Sequence, residues 1–336
     1  LGRQAACEVI ALTFALDLEA PRGELDHAGQ VDADHLGGLA TKRTELLVEA
    51  GGEDDPALRG LYRLLAEEHI PFYVQAEPDL SGLAGKVDLV VTATGDVEGL
   101  PEYLAAGGRV LVTGTTPPDI ELPAVVREWS AEDTLAAYWK LTPSDLMPSL
   151  KETRTLFMSG PLVEYAGHEG SSLQLQHPAL YGPPEMVSTP NRPAQGPGLL
   201  MQDVGKGRVA YLPWNAPVLY YEHSNLALRR LLTDLVDSLL PRGRQLETDA
   251  HPLVETALME QPARKRTLLH LLNQSGRLGA SASQALPMEP FEVAVAGRFN
   301  RARSRALGQD LPLVIRGESV SFRVPRLEEY DVVVLE

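Results

Sequence analysis

The chain has 336 residues and a formal net charge of −16, with 30 Lys and Arg against 46 Asp and Glu. An apolar share of 44% and a charged share of 23% are ordinary for a globular protein and exclude wholesale disorder. The acidic balance argues against a nucleic-acid partner, no apolar run approaches the ~18 residues of a membrane helix, and the one cysteine, Cys7, excludes a disulfide scaffold or a cysteine-based zinc site.

In chain order, Glu8 to Leu16 is an apolar run with β-branched residues, which suits a strand buried on both faces. Asp55-Pro56 marks a helix start, a side-chain acceptor followed by proline, and Leu58, Leu61, Tyr62 and Leu65 follow as its apolar stripe. Pro71 to Val74 and Val87 to Thr92 read as strands. Leu100 to Ala106 reads as a helix stopped by Gly107-Gly108, and Arg109 to Thr113 as the next strand. Strands alternating with helices over short connections predict an α/β fold on a right-handed parallel sheet.

Residues 141–197, rich in Pro, Ser and Gly, read as a loop-rich insertion whose short strands lie over the sheet edge. From Gly198 to Pro213 two strands flank a hairpin turn at Gly205-Lys206-Gly207. Ser224 or Asn225 caps a long helix carrying Leu228, Leu231, Leu232, Leu235 and Leu239 on one face, and Pro241 ends it. Arg242 to Asp249 is polar and reads as a linker. Beyond it the period changes to two, with Phe291, Val293 and Val295 on one face of a strand and Val320, Phe322 and Val324 on another. The expected organisation is an α/β domain over residues 1–245 and a small antiparallel β domain over 251–336.

Phosphate binding has no motif to rest on. GxxxxGK[ST] is absent, Lys206 sits in a hairpin, and Leu16 leads into Asp17-Leu18-Glu19 where a dinucleotide fold would carry GxGxxG. No cofactor is implied. The turn after Arg109–Thr113 is Gly114-Thr115-Thr116-Pro117-Pro118, in which Thr115 has no base beside it. The eight histidines are scattered and show neither HxH nor HExxH spacing; His69 reads as a helix-terminus cation and His270 as a half-buried sheet residue. Two groupings remain. Asp17, Glu19, Glu24 and Asp26 follow the first strand, where paired carboxylates would suit glycoside hydrolysis if they stood ~5–10 Å apart, though in so acidic a chain a solvated acidic loop is the better reading. Trp214, Tyr220, Tyr221, Glu222 and His223 fall in one loop before the long helix, in the residue types that both sugar-binding surfaces and protein interfaces use, and core packing at a strand–helix junction explains them equally. Glu128-Trp129 and Tyr138-Trp139-Lys140 form a second aromatic group.

The segment GKGRVAYLPWNAPVLYYEHSNLALRRLLTDLVDSLLP (205–241), with DPALRGLYRLLAEEHIPFYVQ (55–75) and YLAAGGRVLVTG (103–114), resembles the glutamine-amidotransferase-like domain downstream of the barrel in family 42 β-galactosidases. RTLLHLLNQSG (266–276) and SVSFRVPRLEEYDVVVLE (319–336) resemble the small β-sandwich that ends those enzymes.

The resemblance implies a flavodoxin-like parallel sheet followed by an antiparallel β-sandwich. It also implies a homo-oligomer, a trimer in that family, and a carbohydrate context. It supplies no catalytic residue: the barrel with the acid and nucleophile glutamates needs about 250 residues that have no counterpart here, and Cys7 does not stand where an amidotransferase nucleophile would. The expectation is therefore a noncatalytic, oligomer-forming accessory portion, with Trp214, Tyr220, Tyr221 and His223 as substrate-binding or interface residues. A freestanding carbohydrate- or protein-binding module and a small hydrolase using the acidic cluster are the alternatives. With no signal-peptide pattern at the start, a cytoplasmic location is expected.

Overall fold

The computed structural model describes residues 46–49, 55–75, 79–134, 137–167, 171–176, 195–278 and 281–336. The strand expected at Glu8 to Leu16, Cys7, and the carboxylates Asp17, Glu19, Glu24 and Asp26 lie outside them. The described chain is mostly β with few helices and several sheets. It forms two compact units: residues 46–64 with 73–243, and residues 65–72 with 244–336.

The first unit is built on strands β1 (Leu46–Glu49), β2 (Tyr73–Gln75), β3 (Leu89–Thr92), β4 (Arg109–Thr113), β11 (Leu200–Val204) and β12 (Gly207–Leu212). They form one six-stranded sheet in the order β11-β12-β4-β3-β1-β2. All neighbours run parallel except the hairpin partner β11, which closes one edge antiparallel. Every residue of β3 is buried, as is every residue of β4 after Arg109, which is why these strands read as unbroken apolar runs.

Helix α1 (Pro56–Glu67) starts where the sequence says it should, with Asp55 Oδ1 accepting the Ala57 N–H at 2.9 Å. Its buried stripe is Ala57, Leu61, Leu64 and Leu65, while Leu58 and Tyr62 are only half-buried. The inward face is thus turned from the one the sequence suggested, and Gly60 explains it. A Cβ there would fall 2.0 Å from the Pro217 carbonyl oxygen, so α1 lays its glycine against backbone. Helix α2 (Leu100–Ala105) is followed by Gly107, in a left-handed conformation at φ 101° that ends the helix.

The described residues between 137 and 197 carry the short strands expected within the loop-rich insertion over 141–197, but pair them into sheets of their own. Strands β6 (Ala137–Leu141), β7 (Thr155–Met158), β9 (Leu173–Gln176) and β10 (Gln195–Pro197) make an antiparallel sheet of their own, ordered β10-β9-β6-β7. Beside it β5 (Val125–Trp129) pairs with β8 (Leu162–Tyr165). The strands are short but alternate cleanly: Ala137, Trp139 and Leu141 face inward, Tyr138 and Lys140 outward. The stretch between β12 and the long helix, expected to be a loop, contains helix α3 (Ala216–His223). Helix α4 (Leu226–Leu239) follows with Asn225 as its cap, the side chain accepting the Ala227 N–H at 2.8 Å. Its expected leucines at 228, 231, 232, 235 and 239 are all buried.

In the second unit, β13 (Leu246–Thr248), β18 (Phe291–Ala296), β22 (Ser319–Val324) and β21 (Val314–Arg316) form one sheet. Strands β14 (Val254–Gln261), β15 (Arg266–Asn273), β23 (Tyr330–Leu335), β19 (Ala302–Ser304) and β20 (Asp310–Leu311) form the other, and β16 (Arg277–Leu278) pairs with β17 (Ser281–Ala282) alone. Val293, Val295, Phe322 and Val324 meet Leu269, Leu271, Val333 and Leu335 in a single core, which defines an antiparallel sandwich. Part of the stretch read as a linker is strand β13, whose Leu246 is 1% exposed and pairs opposite Val295. His69 follows α1 in a left-handed conformation and is buried, with Nε2 3.3 Å from the His251 carbonyl oxygen; it is not a solvated helix-terminus cation.

Candidate functional site

In a parallel sheet the natural place for chemistry is the carboxyl edge of the strands. Here that edge is tied up in backbone and hydroxyl contacts. The Thr113 hydroxyl donates to the Thr92 carbonyl at 3.3 Å, and the Thr92 hydroxyl to the Thr94 carbonyl at 2.9 Å. The loops after β3 and β4 lie so close that a Cβ on Gly95 would stand 2.1 Å from the Pro117 carbonyl carbon. Gly114, at φ 103°, donates its N–H to both Leu212 O and Trp214 O. The strand ends therefore hold each other, and the thiol of an amidotransferase nucleophile has no counterpart on them, since the one cysteine is Cys7.

The two aromatic groups of the sequence are brought together, and each is divided between core and surface. Alternation on β6 turns Trp139 in and Tyr138 out. The segment from Trp214 through helix α3 does the same with its aromatics. Trp214 is 0% exposed, its Nε1 donating to the Gly198 carbonyl at 2.9 Å, and Tyr220 is 2% exposed. Trp139 and Trp214 pack together with ring centroids 5.4 Å apart. Of the four expected binding residues, Trp214 and Tyr220 thus fill the interior, whereas Tyr221 and His223 reach the surface.

The surface half is a row of rings. Tyr138 meets Phe157 edge to face at 6.2 Å and 73°, and Phe157 meets the His223 imidazole in the same manner at 6.2 Å and 68°. Phe157 is a member the sequence reading missed. Its signal lay in the alternation of β7, where Leu156 and Met158 face in and Phe157 faces out. Two arginines of α1 fix the end of α3 that carries His223: Arg59 donates to the Tyr221 hydroxyl at 3.4 Å, and Arg63 donates to the Ser224 hydroxyl at 2.8 Å while its guanidinium stacks 5.4 Å from the Tyr220 ring.

The second pair of the sequence group, Glu128 and Trp129, lies on β5. Trp129 Nε1 donates to Glu164 Oε2 at 2.9 Å, and Arg127 covers the indole at 3.8 Å while pairing with Asp133 at 3.5 Å. Glu164 is 3% exposed, so this carboxylate is a satisfied buried acceptor. Along α2, Asp119, Glu121 and Asp203 border a cleft floored by Leu104, Ile120 and Val204. Arg208 at 2.6 Å engages Asp203 and holds its carboxyl below the usual range. Among the described residues, no group of three or more His, Cys, Asp or Glu could hold a metal ion, and no helix is long and apolar enough to cross a membrane.

No family model and no curated protein matches the chain. The solved structures to which it is similar include glycoside hydrolases. It is similar to alpha-L-fucosidase isoenzyme 2 from Paenibacillus thiaminolyticus, with a TM-score of 0.72 at 18% identity over 93% of this chain and 50% of that one. A beta-galactosidase from Bacillus circulans sp. alkalophilus gives a TM-score of 0.57 at 12% identity, over 90% of this chain and 43% of that one. A catalytic mutant of Gan42B, a GH42 beta-galactosidase from G. stearothermophilus, gives 0.53 at 12% identity over 88% and 40%. The likeness is one of fold, and the chain spans half the length or less of these enzymes.

Proposed function

We propose that the chain is a noncatalytic accessory portion of a carbohydrate-active protein, resembling the part of family 42 β-galactosidases that follows their barrel, and that it assembles with copies of itself. The observation that carries this reading is the lopsided coverage: nearly all of this chain superposes on half of a much longer glycoside hydrolase. The strand order supports a flavodoxin-like first unit, because β2-β1-β3-β4-β12 is the parallel order 2-1-3-4-5. The hydroxyl-and-glycine strand ends support a sheet of that kind without amidotransferase chemistry. The β-sandwich then corresponds to the small terminal domain of the resemblance, and a trimer is the assembly that the resemblance suggests. The row Tyr138–Phe157–His223 favours a second reading, a freestanding carbohydrate-binding module, which differs in needing no partner domain.

The test is a glycosidase assay of the purified chain on nitrophenyl α-L-fucoside and β-D-galactoside, with sedimentation equilibrium on the same sample. The expected result is no turnover, and a mass that is a multiple of 36.5 kDa. Turnover abolished by replacing Asp17, Glu19, Glu24 or Asp26 would establish the small hydrolase instead. A strict monomer at micromolar concentration would remove the assembly role.

A further inference from the structure

We propose that the outer face of the sheet β7-β6-β9 is a saccharide-binding platform that takes a pyranoside bearing a carboxylate, a hexuronic acid, with its ring against Tyr138, flanked by Phe157, and its acid group on Lys140. The inference deepens the carbohydrate reading above and rests on it. The register sets the grid. Tyr138 stands opposite Phe157 on one side and Gln176 on the other; two residues on, Lys140 stands opposite Thr155 and Gln174. One row is therefore aromatic, aromatic, amide, and the next is hydroxyl, ammonium, amide. Neighbouring strands are about 4.8 Å apart and same-face residues about 7 Å apart along a strand, so a single sugar ring spans both rows.

The chemistry of the grid matches a sugar better than a protein surface. A pyranose offers an apolar C–H face to aromatic rings and a rim of hydroxyls to amides, an imidazole and a hydroxyl; the centre of a protein interface is equally aromatic but depleted in lysine, so Lys140 beside the rings favours the sugar. The aromatic row continues from Phe157 to the exposed His223, and Tyr138 is 37% exposed. Charge selects the class of sugar. In a chain of net charge −16, Lys140 is exposed and no acidic side chain pairs with it among the described residues. The arginines of α1, Arg59 and Arg63, are engaged with Tyr221 and Ser224. An ammonium one row from two aromatic rings is complementary to a carboxylate carried at C6 of the stacked ring.

Methyl α-D-galacturonide and methyl α-D-galactoside differ only at C6 and serve as the probes, with affinities taken from NMR titration of the full chain. The expected result is a preference for the galacturonide on the order of five- to tenfold at low salt, shrinking as sodium chloride is added. Lys140→Gln should erase the preference and leave the weaker galactoside binding. Tyr138→Ala should abolish binding of both probes, and Tyr138→Phe should restore it. Equal affinity of the wild-type chain for both probes overturns the charge assignment, and binding that survives Tyr138→Ala places the site elsewhere. No binding of either probe by an inactive, oligomeric chain overturns the platform alone. Turnover of glycosides by the chain itself would instead overturn the accessory reading beneath it.

Discussion

The indole of Trp139, on the inward face of β6, lies 5.4 Å from that of Trp214, at 40° between their planes. Gly198 completes the arrangement: it accepts the Trp214 Nε1–H through its carbonyl, and a Cβ in its place would stand 2.6 Å from Trp139 Cε3. Residues distant in sequence are joined by this contact, which holds the antiparallel layer of the first unit to the end of β12. Both rings are essentially inaccessible to water.

Trp214→Ala should therefore act on stability before it acts on any ligand. Removing a fully buried indole and its hydrogen bond is expected to cost about 3–5 kcal/mol, read as a lower urea midpoint with an unchanged slope. A ligand-binding role for the ring itself would instead leave the midpoint near that of wild type and weaken affinity alone.

Gly60→Ala sets two opposing terms against each other. In an exposed helix the change would favour folding by up to about 1 kcal/mol. Here the new methyl would meet the Pro217 carbonyl oxygen at 2.0 Å, and the obstacle is backbone. The clash wins, and a net loss of about 1–3 kcal/mol is expected from forcing α1 off α3. Urea denaturation measures it. The displacement should also loosen the Arg59–Tyr221 and Arg63–Ser224 hydrogen bonds that fix α3, so His223 resonances should shift in the same variant.

Much of this was legible in the sequence because it is local. Asp55-Pro56, the leucines of α4 with Asn225 before them, the Gly205-Lys206-Gly207 hairpin and the alternation at Phe291–Val295 each state an element within a few residues. The sheet of β6, β7 and β9 was not legible, because its meaning lies in pairings such as Tyr138 with Gln176 that no local period reports. The aromatic cluster was half legible. Its residue types stood out, yet nothing in Trp214-to-His223 says which rings face in. That is decided by α3, whose start was signalled by Asn215-Ala216-Pro217 in the way that Asp55-Pro56 signals α1. The face proposed to bind sugar depends on Phe157, whose alternation in β7 marks it as outward but does not report its place opposite Tyr138.

Asp331 gives a prediction in the second unit. It is 2% exposed, and its carboxylate accepts the Ser304 hydroxyl, the Ala306 N–H at 2.8 Å and the Val332 N–H at 2.7 Å, which together pin the turn after β19 to β23. Asp331→Ala leaves the buried Ser304 hydroxyl and two part-buried N–H groups without that acceptor, and a loss of about 2–3 kcal/mol is expected. Asp331→Asn keeps a carbonyl oxygen in place and should lose less. Thermal unfolding of the two variants, compared at one pH, measures the difference.

His270 makes the second unit sensitive to mild acid. Its Nδ1 lies 2.5 Å from the Tyr330 hydroxyl, Nε2 is buried with no hydrogen-bond partner among the described residues, and burial holds the imidazole below its ordinary 6.5. Burial likewise raises the Tyr330 hydroxyl, with the Asp331 charge adding to it, so that group stays neutral and cannot offset the effect. A unit or more above pH 6.5 the imidazole is neutral in both folded and unfolded chains and has no effect. As the pH falls below 6.5 the unfolded chain takes up a proton that the folded one refuses, so stability drops until the folded value is reached. One such proton gives a slope of at most about 1.4 kcal/mol per pH unit. Many carboxylates titrate lower down, so the informative quantity is the difference between wild type and His270→Gln. Urea unfolding at pH 7.5, 6.5, 6.0 and 5.5 should show the wild type losing stability faster than the variant below pH 6.5, with parallel behaviour a unit or more above it. Parallel curves across the whole range would mean that the imidazole protonates freely in the folded sheet.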